Sequence, residues 1–135
     1  NIFIVARAID EGTDSKLLKA GADRVVKPYE LGGNRMVQLL LKPGVMDFID
    51  SVARDKNVSI SLEEITLTSK SALIGQTLAN SIIRKELNII IVAIYKNDGS
   101  FFYNPVSTTM FEKDDKLIAI GESDNLNKLT DLCVG

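Results

Sequence analysis

Histidine and tryptophan are both absent from this chain of 135 residues, and cysteine occurs once, at Cys133. Without histidine there is no imidazole to act as acid or base near neutral pH, no histidine-based triad and no histidine metal ligand. A single cysteine excludes an intramolecular disulfide framework and suits a reducing, cytosolic compartment. No apolar run reaches the roughly 18 residues that a membrane-spanning helix needs. No stretch reads as a signal peptide, because the amino end is already strand-like. Basic charge is short too: 16 Lys and Arg against 18 Asp and Glu leave a formal net charge of -2, the opposite of a nucleic-acid binder's footprint.

What is present alternates between apolar runs and breakers. Ile-Phe-Ile-Val-Ala at 2–6 predicts a parallel strand covered on both faces, and a start inside a sheet reads as the cut end of a longer polypeptide. Arg7 stands at the carboxyl end of that strand, where ligands sit in open α/β sheets; it is a candidate anion contact or a plain surface arginine. Asp14 or Ser15 can cap the next helix, Gly21 can end it in the left-handed conformation, and 22–26 predicts the second strand of a strand–helix–strand unit. Pro28 stops that strand, and a helix is expected over 30–41. Its Met36, Val37, Leu39, Leu40 and Leu41 spread over roughly 200° of a helical wheel, about twice what one core-facing side needs. A helix buried on two sides implies company, so Met36, Val37, Leu40 and Leu41 are expected to line a dimer seam. Pro43 and Gly44 separate it from a second amphipathic helix at 45–53, and the charged Arg-Asp-Lys-Asn at 54–57 marks a boundary between a domain at 1–54 and another at 58–135.

Beyond that boundary the texture changes. Val58, Ile60 and Leu62 alternate with polar residues, as in a half-buried strand, and then the phase slips to Ile65 and Leu67. A bulge near Glu63–Glu64 is expected to restore the facing; that carboxylate pair reads as a solvated edge. Leu73, Ile74 and Gly75 lead into an expected helix that runs to about Lys85, and a central strand is expected at 88–95. Asn-Asp-Gly-Ser at 97–100 predicts a hairpin turn into a strand at 101–103. A strand at 116–121 and a last helix, capped by Asp124 and carrying Leu126, Leu129 and Leu132, complete the chain. The fold class is therefore α/β: a partial Rossmann-like strand–helix–strand unit with crossover helices, followed by a small α+β lobe of strand, helix, three strands and helix. With no histidine, no cofactor fingerprint and no activated nucleophile, a binding module fits better than an enzyme.

These residues resemble the RCK domain, the TrkA-type regulator of potassium conductance. The first unit, with Ala20-Gly21-Ala22-Asp23 before a strand and Pro28 before a Gly-containing helix, is similar to the end of the RCK amino-terminal lobe. The second resembles the TrkA C-terminal lobe through Leu73-Ile74-Gly75-Gln76-Thr77-Leu78, the strand at 88–95, Pro105, and Asp114-Asp115-Lys116-Leu117 before Gly121. The resemblance implies a cytoplasmic regulatory fragment of a potassium channel or potassium uptake system, which dimerises, works on a membrane channel or transporter subunit without entering the membrane, and binds no nucleic-acid polymer. A ligand-free dimerisation adaptor of a cation transporter or antiporter is the alternative, and an NAD-dependent enzyme remnant a third reading.

The resemblance also implies sites. The family's Gly-x-Gly-x-x-Gly turn is missing here, so NAD or ATP belongs to an upstream half if anywhere, and no cofactor is expected in this fragment itself. The acidic pair of calcium-gated relatives corresponds to Arg7 and Ile9 here, so no metal site is expected. Some similar proteins hold cyclic di-AMP between two C-terminal lobes. The matching positions are Ile82, Ile83, Arg84, Asn88, Ile89 and Pro105, which would take cyclic di-AMP or another small regulatory ligand.

Overall fold

A computed structural model describes residues 2–54 and 59–135. The chain divides into two compact units, Asn1–Ile49 and Asp50–Gly135. The division thus falls a few residues before the 54–57 linker, which lies almost entirely outside the described residues.

In the first unit, β1 (Val5–Arg7) and β2 (Arg24–Val26) pair in parallel, Val5 opposite Arg24 and Arg7 opposite Val26. Both strands are shorter than their apolar runs. Before β1, Ile4 binds Asp23 instead: its N–H donates to the Asp23 carboxylate at 2.8 Å, and its carbonyl accepts from the Asp23 N–H at 2.9 Å. Between the strands runs α1 (Thr13–Lys19), whose N-cap is Gly12 in the left-handed conformation, not Asp14 or Ser15. The Ser15 hydroxyl donates back to the Gly12 carbonyl. Gly21, at φ 104°, ends the helix as expected, with its N–H on the Leu18 carbonyl and that of Ala22 on Leu17. α2 (Pro28–Leu41) begins at Pro28 rather than at Glu30, because proline's missing N–H costs nothing in a first turn. For the same reason α3 (Pro43–Arg54) opens at Pro43.

The expectation of a strand buried on both faces is not met within this unit. Of its described apolar side chains, Ala8 and Met46 are buried, while Ile2, Phe3, Ile4 and Val5 are exposed. Two three-residue strands do not close a core around the apolar surface this unit carries.

The second unit has its own core. Its four strands, β3 (Ile60–Thr66), β4 (Ile90–Tyr95), β5 (Phe101–Tyr103) and β6 (Lys116–Glu122), form an antiparallel sheet in the order β3-β6-β4-β5. α5 (Ser123–Val134) packs on β3 and β6, burying Leu126, Leu129 and Cys133 against Ile65, Leu117 and Ala119. Its N-cap is Glu122, without a side-chain cap bond, and Asp124 lies in the first turn instead. The 97–100 turn forms as expected: Lys96 and Ser100 bond across it and Gly99 takes φ 84°.

Two expectations fail here for local reasons. Most of the helix expected after Leu73, Ile74 and Gly75 is a series of turns, and only α4 (Ile82–Lys85) is helical. Gly75 sits at φ 79°. The Ser71, Thr77 and Ser81 hydroxyls also bond the main chain (Ser81 to the Leu78 carbonyl at 2.9 Å), competing with helical pairing. The segment instead pairs with the 107–111 stretch: Leu78 N–H donates to Thr109 and Ala79 N–H to Ser107, each at 2.9 Å. Second, β3 carries no bulge at Glu63–Glu64. It pairs with β6 without interruption from Ile60 opposite Glu122 to Thr66 opposite Lys116. The irregularity lies in β4, between Ile91 and Ala93.

Candidate ligand-binding site in the second unit

α4 is a single helical turn, so Arg84 and Lys85 both stand at its end, where cations are favoured by the carbonyls that close a helix. Facing them is the segment that leaves β5. Asn104 takes φ 47° and donates its N–H to the Val92 carbonyl at 2.8 Å, which swings Pro105 inward; Pro105 is buried. The two Leu78–Thr109 and Ala79–Ser107 bonds fix the separation of the walls. Between them lies a cavity of about 290 Å³ lined by Leu78, Ala79, Ser81, Arg84, Lys85, Pro105 and Ser107. It has two cations, two hydroxyls and an apolar wall, and no carboxylate. A guanidinium offers a planar fork of donors to a phosphate and an ammonium a point charge beside it, while Leu78 and Pro105 offer flat apolar surface to a ring. The Ser81 hydroxyl already donates to Leu78, so towards a ligand it is an acceptor.

Of the six residues expected at this site, the structure brings Arg84 and Pro105 to the cavity. Ile83 and Ile89 are 0% and 1% exposed within the core; they hold the site up and do not line it. Ile82 packs half-buried against the same core. Asn88 is exposed at φ 51°, outside the lining. Lys85, Ser81 and Ser107 were not expected. The Arg-Lys pair could have been noticed, but the approach of Ser107 rests on backbone pairing with no signal in the residues themselves.

The first unit has a cleft of its own at the carboxyl end of β1, about 540 Å³, lined by residues that include Asp10, Glu11, Asp14, Lys27 and Glu30. Lys27 lies 3.1 Å from Asp14 and 3.7 Å from Glu30. The hydrogen bond to Lys27 holds the Asp14 carboxyl below its ordinary range and lifts the Lys27 ammonium above its own. With four carboxylates to one lysine this cleft repels anions. Arg7 is exposed on β1 and is not among the residues that line this cleft. Among the described residues, no group of three or more Asp, Glu, Cys or His is placed to hold a metal ion. Burial pushes the Cys133 thiol up to about 11, far from a nucleophile's range. On α2, Met36 is 64%, Val37 53%, Leu40 84% and Leu41 74% exposed; the apolar surface expected on that helix is open in a single chain.

The TrkA-C domain profile matches residues 62–134. The chain belongs to the TrkA-C domain family. It is 32% identical over 136 aligned positions, 98% of its length, to probable potassium channel protein 2 of Methanocaldococcus jannaschii, and 33% identical over 130 positions to potassium channel protein 1 of that organism, over 96% of its length. It spans 39% and 38% of those two proteins. A solved structure of the RCK C domain of the potassium transport protein KtrA, in complex with cyclic diadenosine monophosphate, matches 66% of this chain and 95% of its own, at 29% identity and a TM-score of 0.52.

Proposed function

We propose that this chain is the cytosolic regulatory part of a potassium channel or potassium uptake system, and that it dimerises and passes the binding of a small anionic ligand to a membrane pore. The observation that carries the reading is the cavity of Arg84, Lys85 and Pro105 within a TrkA-C fold, whose similar KtrA domain was solved with cyclic diadenosine monophosphate. That ligand has two identical halves, each a phosphate joined to an adenosine. A cavity of about 290 Å³ suits one half, and a two-fold dimer supplies two. Arg84 takes the phosphate, Leu78 and Pro105 the ring face. Such a module does work through differential affinity: a ligand that prefers one arrangement of two subunits shifts the population of that arrangement, and the pore follows. NAD or ATP would need a site outside these residues.

Thermal unfolding with cyclic di-AMP tests this. At a hundredfold its dissociation constant the ligand adds about 2.7 kcal/mol to stability, and Arg84→Ala is expected to abolish the shift while the free protein melts as before. No shift in the unaltered chain would favour the ligand-free adaptor instead.

A further inference from the structure

The segment 104–110 gives the cavity Pro105 and Ser107, yet much of what holds it in place lies outside the cavity. Its near end is fixed to β4, where the Asn104 N–H donates to the Val92 carbonyl. Its middle is laddered to the opposite wall. Beyond the Ala79–Ser107 and Leu78–Thr109 bonds, Thr77 faces Met110 in an antiparallel bridge, and the Phe111 N–H donates to the Gln76 carbonyl at 3.0 Å. The bonds flank this bridge, so Thr77 and Met110 exchange none and each turns its carbonyl outward. The Thr77 carbonyl accepts the Ser81 N–H at 3.0 Å, and Ser81 is the N-cap of α4, which carries Arg84. One ladder thus sets both walls.

The outward Met110 carbonyl is met by Lys96, the first residue after β4, whose ammonium donates to it at 2.7 Å. The segment is therefore tied at both ends to the same strand. A lysine side chain is long and free to turn, but this one is only 12% exposed, and the fully buried Asp115 carboxylate fixes its ammonium at 2.8 Å. Bonds from a charged donor are roughly twice as strong as neutral ones. Glu112, the third partner at 3.1 Å, is 65% exposed and adds little. We infer that Lys96, held by Asp115, is a positioning residue for the cavity, acting through Met110 and the ladder to set Pro105 and Ser107 against Arg84. This role rests on the cavity's being the ligand site.

Lys96→Met with Asp115→Leu removes both charges together, strands neither and deletes the bond to Met110. In the full chain this double variant is expected to keep its β3 and β6 amides as protected from hydrogen exchange as before. Leu78 and Ala79, whose N–H groups hold the ladder, are expected to exchange about tenfold faster, the effect of losing one bond to a charged group. Its affinity for cyclic di-AMP in a calorimetric titration is expected to fall at least about threefold, since only chains with both walls in place bind. Glu112→Gln removes the exposed partner but keeps the Met110 bond, and is expected to leave both measurements within about twofold. A double variant that binds as tightly as the unaltered chain would overturn the inference. Leu78 and Ala79 amides that exchange no faster would do the same, and so would a loss in Glu112→Gln as large as that in the double variant. Absence of binding by the unaltered chain would instead remove the ligand reading, and exchange at Leu78 and Ala79 would still decide whether Lys96 sets the walls.

Discussion

Half-buried Lys96 and fully buried Asp115 form an ion pair, the ammonium 2.8 Å from Oδ2 of the carboxylate. The same ammonium donates to the Met110 carbonyl at 2.7 Å and to Glu112 at 3.1 Å, and Asp115 Oδ2 also accepts the Glu112 N–H at 2.9 Å. The pair thus ties the end of β4 to the loop that enters β6, and that loop continues into the segment carrying Ser107 and the cavity wall. Asp115 Oδ1 is buried with no hydrogen-bond partner among the described residues, so the aspartate depends heavily on Lys96.

Removing the lysine therefore strands a charge. Lys96→Met is expected to lower stability by about 3–5 kcal/mol, and Lys96→Met with Asp115→Leu to recover most of the loss, because an apolar pair needs no compensation. Urea denaturation at neutral pH measures both. Burial pushes the Lys96 ammonium down, but its hydrogen bonds to Asp115 and Glu112, with their charges, outweigh that and leave its pKa above the ordinary 10.5. The folded value lies above the unfolded one, so this contribution is complete below about pH 10.5 and is lost as pH climbs through the folded value. The alkaline fall in urea midpoint is expected to be shallower in Lys96→Met.

Ile89 and Arg84 are five positions apart but answer to different measurements. Ile89 is in the core, and Gly121 on β6 leaves it room: a Cβ built there would lie 2.9 Å from Ile89 Cγ1. Ile89→Ala is expected to cost about 2–5 kcal/mol by the cavity it leaves, and Gly121→Ala about 1–3 kcal/mol by overpacking. Arg84 is exposed, and Arg84→Ala is expected to change stability by less than about 0.5 kcal/mol while removing ligand binding. Paired denaturation and calorimetric titration of the three variants separates the support of the site from its contacts.

How far these roles were legible follows from period and length. The strand at 90–95, the 97–100 turn and the last helix announced themselves through unbroken β-branched runs, Asp-Gly and i, i+3 spacing. The stretch 73–81 did not, because Leu78, Ala79, Ile82 and Ile83 fall on one helical face whether or not a helix forms. Its fate was decided by Gly75 and by bonds to the 107–111 segment some 30 positions away. Ile83, named through the resemblance, is wholly buried on the single turn of α4 and faces the core. Arg84 and Pro105 are legible through the family resemblance, not through periodicity or spacing. Ser107 is not, since only main-chain pairing brings it near. The slip from Leu62 to Ile65 was visible, but a bulge and a two-faced strand satisfy it equally well on paper. The uninterrupted register with β6 chooses the second.

The α2 surface yields the remaining prediction. A buried seam residue usually cannot be made charged without unfolding its own protomer, and loss of association then says nothing about the seam. Met36 is 64% exposed in the single chain, and its neighbours Leu40 and Leu41 are more exposed still. Aspartate at position 36 therefore costs the protomer little beyond a small loss of helix propensity, a few tenths of a kcal/mol. Across a seam between two α2 helices the same carboxylate is desolvated twice by symmetry, with no cation supplied to meet it. Met36→Asp is expected to reduce the mass seen by light scattering at micromolar concentration at least twofold, with an unchanged far-UV spectrum. A mass that does not move would place the α2 surface outside the assembly and leave its apolar arc to another partner.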